Sequence, residues 1–200
     1  MVCTRLRQRG FSLLELLVTL AIVGILLGIA VPSMRSMLSG SELSASTNHL
    51  VYSLQSARSE AIKRIVPVSL CPSDNPDAAK PVCGDSYDKG WFVFVDADAD
   101  GVLDDDGEEV ILRSEALSPA FSVTADKIIS GGVLFSIDGV SSNSSGVPIG
   151  GSFDISHSGN GERRIVRIAA SGRIGSSVPY DSASSDDKTT TDNTTEGGTK

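Results

Sequence analysis

An apolar run covers residues 11–31 and contains a single charged residue, Glu15. As an α-helix this run measures about 31 Å at ~1.5 Å per residue, which is enough to cross a bilayer. Arg5, Arg7 and Arg9 precede it, as expected for a segment whose amino end stays in the cytoplasm. The pattern predicts a membrane-spanning helix in which Glu15 has a function, because a carboxylate is costly in lipid.

Residues 32–65 show a narrower apolar stripe on a polar background. Two rows recur at seven-residue spacing, which places them on one face of a helix. This half is therefore predicted to be an amphipathic helix that lies on a folded domain. Pro32 has no backbone N–H to donate, so we expect a kink where the two halves meet. The rows are Leu43, Leu50, Ala57 and Thr47, Leu54, Ala61.

Residues 66–175 change to alternation with β-branched residues, which is typical of strands. Turn clusters rich in Gly, Ser, Asp and Asn separate seven candidates, at 66–71, 91–95, 109–113, 121–123, 133–137, 152–156 and 164–169. We expect an antiparallel β-sheet domain with one face on the helix, and hence an α+β fold. The predicted core is Leu54, Ala57, Val68, Trp91, Val93, Val110, Leu112, Leu134 and Val166.

Residues 176–200 form a polar tail. From residue 181 onward Ala183 is the single apolar residue, among mostly Asp, Ser, Thr, Gly and Lys. Such a segment buries too little apolar surface to offset the entropy of ordering it. We therefore predict that the tail is disordered.

The junction between the basic stretch and the apolar run resembles a processing signal. The segment RGFSLLEL at residues 9–16 is similar to the class III signal of type IV pilins and type II secretion pseudopilins. The resemblance implies that a prepilin peptidase removes residues 1–10 by cutting after Gly10 and then N-methylates Phe11. It also implies that Glu15 is the glutamate of the fifth mature position, and that Pro32 is the proline of the family's long helix.

Two simpler interpretations of the same run stay open. An ordinary secretory signal would be cut after residues 28–30, and a plain membrane anchor would explain the length and the arginines. A secretory apolar region is, however, usually about 7–15 residues long and lacks an acid. Neither interpretation accounts for Glu15 at its distance from Gly10.

A second resemblance extends through the predicted β domain. Four segments are similar, in order, to the GspH/FimT family of minor pseudopilins and minor type IV pilins: LCPS with Cys83 after it, GWFVFVD, GEEVILR and ASGR. The resemblance implies a type IV pilin-like fold and a single-pass protein of the bacterial inner membrane with a periplasmic C-terminal domain. After assembly it would lie in a pilus or pseudopilus. The implied partners are other minor and major pilins or pseudopilins, the prepilin peptidase and the inner-membrane assembly platform.

The cysteines indicate an oxidised domain. Cys3 leaves with the leader, whereas Cys71 and Cys83 stay on the side of the membrane where disulfides persist. We therefore expect a disulfide between them that contributes about 2–3 kcal/mol by closing a short loop. Metal binding by the two thiols is the alternative, but no second pair and no nearby histidine supports it.

The acidic segment DADADGVLD is a candidate calcium site. It places Asp96, Asp98, Asp100 and Asp104 on one tight turn, and Ca²⁺ prefers six to eight oxygen ligands. Position twelve, where an EF-hand has glutamate, is Gly107, so the segment resembles the shorter calcium loops instead. A solvated acidic hairpin loop is the alternative, and the sequence suggests no cofactor besides Ca²⁺.

The chain carries a net charge of −8, and removal of the leader arginines makes it more negative. This argues against non-specific binding of nucleic acid over the whole surface, and leaves a local basic patch open. Some FimT members take part in DNA uptake and carry a glycine-arginine-x-arginine motif. Here Gly172, Arg173, Ile174 and Gly175 lack the second arginine. A DNA-binding minor pilin of a natural-transformation uptake machinery is therefore the alternative function.

The sequence offers no recognisable catalytic set. His49 falls on the predicted helix and His157 in a turn, and neither stands in a nucleophile motif. No phosphate loop or dinucleotide fingerprint is found either. We predict that the protein is not an enzyme but a minor pilin or pseudopilin. It would prime or cap a type IV pilus or a type II secretion pseudopilus, two systems that share these motifs.

Overall fold

The computed structural model describes residues 12–104, 107–159 and 161–178. Its first element is the helix α1, Leu13–Arg64, and a short 3₁₀ helix at Tyr87–Lys89 follows the first strand. The predicted α+β class is confirmed. The strands of these ranges are β1 Val68–Pro72, β2 Trp91–Val95, β3 Val110–Ser114, β4 Phe121–Ala125, β5 Val133–Phe135, β6 Ser141–Ser142, β7 Gly151–His157, β8 Arg163–Ile168 and β9 Ile174–Ser177.

Helix α1 has 52 residues and continues through Pro32 and Gly40. The kink expected at Pro32 stays a prediction. The helix ends where Ile65 adopts a left-handed conformation with φ 56°, which is uncommon for a β-branched residue and redirects the chain into β1. Within the three described ranges, no helix has the combined length and apolar character that crossing a membrane requires.

The strands form two antiparallel sheets, whereas the sequence predicted one. The first sheet has the order β3-β2-β1-β5-β6, and the second has the order β4-β7-β8-β9. Leu70 lies opposite Val93 in the first sheet, and Phe153 lies opposite Val166 in the second. Alternation along the chain identifies strands but not their partners, so this division could not be read from the pattern.

Helix α1 packs on both sheets through the stripe predicted from its seven-residue rows. All six stripe residues are at most 3 % exposed. The five apolar residues of the stripe share one cluster with residues of β1 and β2 in the first sheet and of β7 and β8 in the second. Each fully buried leucine of the stripe contributes about 1.5–3 kcal/mol to the stability of the fold. Because this stripe packs on both sheets, the helix is the element that joins them.

Two residues of the predicted core are only half buried. Val110 and Leu112 lie in β3, which is an edge strand of the first sheet and is covered less completely than β2. The remaining predicted core residues are buried. Tyr87, Phe135 and Phe153 are fully buried as well, although they were not among the predicted core residues.

A second, smaller core lies on the face of the first sheet that points away from α1. Trp91 of β2 joins the helix-facing cluster, whereas Phe92 and Phe94 join the second one, as the alternation of a strand requires. Cys71 and Leu103 complete this second core. Because both faces of β2 are covered, all five of its residues are buried.

The predicted first residue of the tail, Ser176, lies inside the second sheet. Ser176 and Ser177 belong to β9 and pair with Val166 and Ile165 of β8, so the second sheet extends past the predicted boundary at residue 175. The predicted disorder of the remaining tail concerns residues 179–200, which lie outside the described part of the chain.

Candidate functional site

The amino-terminal part of α1 presents an apolar surface that the β domain does not cover. The large apolar side chains between Leu13 and Leu27 are 47–76 % exposed, and Met37 farther along is 79 % exposed. Contiguous apolar surface of this kind marks contact with lipid or with other protein chains. We call the exposed apolar side chains from Leu13 to Leu27 the helix surface.

Glu15 lies in the first turn of α1, exposed among the side chains of the helix surface. The helix begins after Ser12, whose carbonyl oxygen accepts the N–H of Leu16 at 3.1 Å. Glu15 is therefore near the positive end of the helix dipole. Gly10 and Phe11, the predicted processing residues, lie outside the described residues, and Pro32 lies within α1.

Cys71 and Cys83, the two cysteines paired in the sequence analysis, are joined by a disulfide with a Cα–Cα distance of 5.6 Å. Cys71 belongs to β1, and Cys83 belongs to the loop that follows it. The N–H of Gly84 donates to the carbonyl of Pro72 at 2.8 Å and closes the same loop. The disulfide therefore attaches this loop to the second core.

The acidic loop connects β2 to β3 and is shaped by its own carboxylates. Asp98 Oδ1 accepts the backbone N–H of Asp100 at 3.3 Å, and Asp100 Oδ1 accepts that of Val102 at 2.7 Å. Ala99 and Gly101 adopt positive φ values of 63° and 81°. Glycine adopts this conformation without steric cost, whereas alanine adopts it rarely, so the turn is tightly determined.

Three carboxylates meet in this loop, and they are not the four that the sequence predicted as ligands. One oxygen each of Asp96, Asp98 and Glu108 lies within 4.8 Å of the other two. Asp100 and Asp104 are not members of this group, which we call the acidic cluster. The structure therefore brings two of the four predicted ligands together with Glu108, and the binding of Ca²⁺ itself stays a prediction.

Glu108 closes the loop from its far end. Its Oε1 accepts the N–H of Ala97 at 2.7 Å, and its Oε2 accepts the N–H of Asp104 at 3.1 Å. Glu108 was not among the predicted ligands, because an EF-hand has its glutamate at position twelve and Glu108 stands one residue later. Strand pairing was the better signal: Phe94 lies opposite Val110, and continuing that antiparallel register by two residues brings Asp96 opposite Glu108.

Asp96 is fully buried at the end of β2. Its Oδ2 accepts the hydroxyl proton of Ser69 and, at 3.1 Å, the N–H of Gly101. Its Oδ1 has no hydrogen-bond partner among the described residues. Burial raises the pKa of Asp96 above its ordinary value; the hydrogen bond from Ser69 opposes this rise, and the negative charge of Glu108 adds to it.

Among the arginines near the carboxyl end of the chain, Arg163 is engaged within the fold. Arg163 pairs with Asp154 of the adjacent strand β7. Arg58 of α1 donates from Nε to the carbonyl of Gly139 at 2.9 Å, and with Arg173 it lines a groove of about 370 Å³. This arrangement does not favour the DNA-binding alternative.

Comparison with known proteins agrees with this architecture. The structure is similar to that of the type IV minor pilin FimU from Pseudomonas aeruginosa strain PAO1, with a TM-score of 0.50, 17 % identity, and 70 % of this chain and 90 % of that chain covered. A second crystal form of FimU gives a TM-score of 0.48 at 17 % identity, with 67 % and 91 % covered. At this identity the likeness concerns the fold. No curated protein sequence matched the chain.

Two family matches cover different parts of the chain. Residues 5–31 match the prokaryotic N-terminal methylation motif, a segment that contains Gly10, Phe11 and Glu15. Residues 46–172, more than half of the chain, match the family described as type II transport protein GspH. The members of this family are structural proteins of pili and pseudopili, and the chain belongs to the GspH family of minor pilins and pseudopilins.

Proposed function

We propose that this protein primes or caps the assembly of a type IV pilus or a type II secretion pseudopilus. The observation that carries the proposal is the helix surface, which the β domain leaves uncovered and in which Glu15 is the single acid. A helix of this kind needs a second apolar surface to pack on. Other pilin helices, which carry the same motif, supply one, in line with the family to which the chain belongs.

Before assembly, the helix surface would be covered by the lipid of the inner membrane, with the β domain in the periplasm. The methylation-motif match over residues 5–31 supports processing by a prepilin peptidase after Gly10 and N-methylation of Phe11. The disulfide between Cys71 and Cys83 agrees with an oxidising compartment on the far side of that membrane. The inner-membrane assembly platform would then extract the subunit.

In the filament, the carboxylate of Glu15 would pair with the charged amine that cleavage creates on Phe11 of a neighbouring subunit. Both groups would lie in an apolar core, where an unpaired charge is costly and an opposite charge offsets that cost. Since one stagger of adjacent helices brings the two together, the pair would set the register of the subunits. None of the described residues donates a hydrogen bond to the Glu15 carboxylate, which leaves it available for such a partner.

The test is a clean deletion strain that is complemented with the intact gene and scored for surface pili and for export of folded proteins. Loss of pili that the intact gene restores supports a role in the type IV pilus. Loss of export with normal pili supports a role in the pseudopilus. A deletion that changes neither phenotype contradicts the proposal.

A further inference from the structure

The acidic cluster brings three negatively charged side chains close together. Asp96, Asp98 and Glu108 each bring one carboxylate oxygen to within 4.8 Å of the others. Within residues 12–104, 107–159 and 161–178, none of the three forms an ion pair with a lysine, arginine or histidine. Three like charges at this separation repel one another, so the arrangement is unfavourable without a cation or a proton.

A second feature, which does not depend on this crowding, is the burial of Asp96. Its side chain is 0 % exposed, and its Oδ1 has no hydrogen-bond partner in the described part of the chain. Leaving a buried polar atom unsatisfied costs about 1–3 kcal/mol, and more for a charged group. Its other oxygen is fixed by Ser69 and Gly101. The carboxylate is therefore held in place through Oδ2, and its Oδ1 is left unpaired among the described residues.

We propose that Asp96, Asp98 and Glu108 bind one Ca²⁺ between β2 and β3. Two oxygens bound to one ion at ~2.4 Å lie at most about 4.8 Å apart, and the separations in the cluster meet that limit. Mg²⁺ requires a near-ideal octahedron and usually keeps several of its waters, whereas Ca²⁺ accepts the irregular oxygen set that a loop offers. Water and backbone carbonyl oxygens would complete the larger coordination shell of Ca²⁺.

The position of the site gives the ion a structural role that goes beyond the proposed assembly function. Asp96 connects the site to β1 through Ser69, and Leu103 of the same loop packs in the second core with Cys71. An ion bound here would hold the loop against the first sheet. Because the ion binds the folded chain, it would raise the melting temperature by mass action.

The experiment uses the full chain, solubilised in detergent and freed of metal with EDTA. Calorimetric titration with CaCl₂ and with MgCl₂ gives the affinities, and melting followed by the fluorescence of buried Trp91 gives the stabilisation. Asp98→Asn and Glu108→Gln each remove one ligand charge but keep a hydrogen-bond acceptor. Asp100→Asn is the matched control, because Asp100 belongs to the same turn and not to the cluster.

We expect saturable binding of Ca²⁺ with a Kd of about 10⁻⁴–10⁻³ M, the range of extracellular calcium modules. Saturating CaCl₂ at about one hundred times the Kd should raise the melting temperature by roughly 5–10 °C. Asp98→Asn and Glu108→Gln should weaken binding at least about tenfold, whereas Asp100→Asn should bind as the unchanged chain does.

Three results would each overturn the proposal. The first is that the unchanged chain shows no saturable Ca²⁺ binding and no rise in melting temperature, in which case a proton on buried Asp96 relieves the repulsion. The second is that Asp98→Asn binds Ca²⁺ as tightly as the unchanged chain, or that Asp100→Asn loses as much Ca²⁺ affinity as Asp98→Asn does. The third is that Mg²⁺ binds as tightly as Ca²⁺, which would refute the choice of ion. None of these results bears on the assembly role, which is scored by pili and protein export.

Discussion

Replacing both Cys71 and Cys83 with alanine should destabilise the β domain by an amount that the loop length determines. The two residues are 12 positions apart. In the chain-entropy account, opening a loop of about 12 residues returns about 9–10 cal/mol/K to the unfolded chain, or about 3 kcal/mol at 25 °C. Cys71 is 2 % exposed in the second core, so the loss of its packing adds to this cost.

The chain contains its own probe for this measurement. Trp91 is the single tryptophan, is fully buried in β2, and pairs with Pro72, the residue after Cys71. Its fluorescence follows unfolding of the detergent-solubilised full chain in guanidinium chloride. A loss of about 3 kcal/mol lowers the unfolding midpoint by roughly 1 M. Reduction of the unchanged chain with a thiol should reproduce most of this shift.

Val82→Ala is the matched control, because Val82 lies in the same loop and is 73 % exposed. Exposed substitutions of this kind change the free energy of unfolding by less than about 0.5 kcal/mol. The prediction is refuted if the free energy of unfolding of the double cysteine variant falls by less than about 1 kcal/mol. It is also refuted if a thiol shifts the unfolding midpoint of that variant as far as it shifts the midpoint of the unchanged chain.

Two further predictions concern single residues of the turns. Gly172→Ala should lower the free energy of unfolding by roughly 2–4 kcal/mol, because φ is +74° and an added Cβ would lie 1.8 Å from the carbonyl oxygen of Gly139. Gly175 has open space around it, so Gly175→Ala is the control and should unfold near the midpoint of the unchanged chain in the same guanidinium assay. The hydrogen bond from Ser136 lowers the pKa of Asp138. The stability that this hydrogen bond gives the folded chain is therefore present above the unfolded-state pKa of Asp138, and it is lost as the pH falls through the folded-state pKa. Asp138→Asn keeps the shape without the titration, and its unfolding midpoint should fall less than that of the unchanged chain below about pH 4.

The packing of the helix was predictable because helix periodicity alone decides which residues share a face. The two rows that include Leu50 and Leu54 lie against the sheets, as their seven-residue spacing predicted. Strand β2 was predicted with its observed bounds, since five β-favouring residues stand between Gly90 and Asp96. In both cases the information is local in the chain.

The features that the sequence analysis missed depend on contacts between distant segments. Which strand stands at the edge of a sheet is a matter of pairing, and therefore the half-burial of Val110 and Leu112 had no local signal. Glu108 reaches Asp96 because β2 and β3 form a hairpin, whereas the calcium template ends at Gly107, one residue before Glu108. Strand β9 was missed because its sequence, IGSS, has little β propensity and depends on pairing with β8.

The central claim is that Glu15 directs this subunit into a filament, and incorporation of Glu15→Ala tests it most directly. Sheared filaments and membranes from strains expressing each variant are compared by immunoblot, with mature length as the check on processing. Glu42→Ala is the control, because Glu42 is also an exposed acid on α1 but lies beyond the helix surface.

We expect all three chains to be processed, and Glu42→Ala to enter filaments as the unchanged chain does. Glu15→Ala should be depleted from filaments at least about tenfold, because the amine of Phe11 on the neighbouring subunit would be buried without a partner. Recovery of Glu15→Ala in filaments at the level of the unchanged chain would contradict the account.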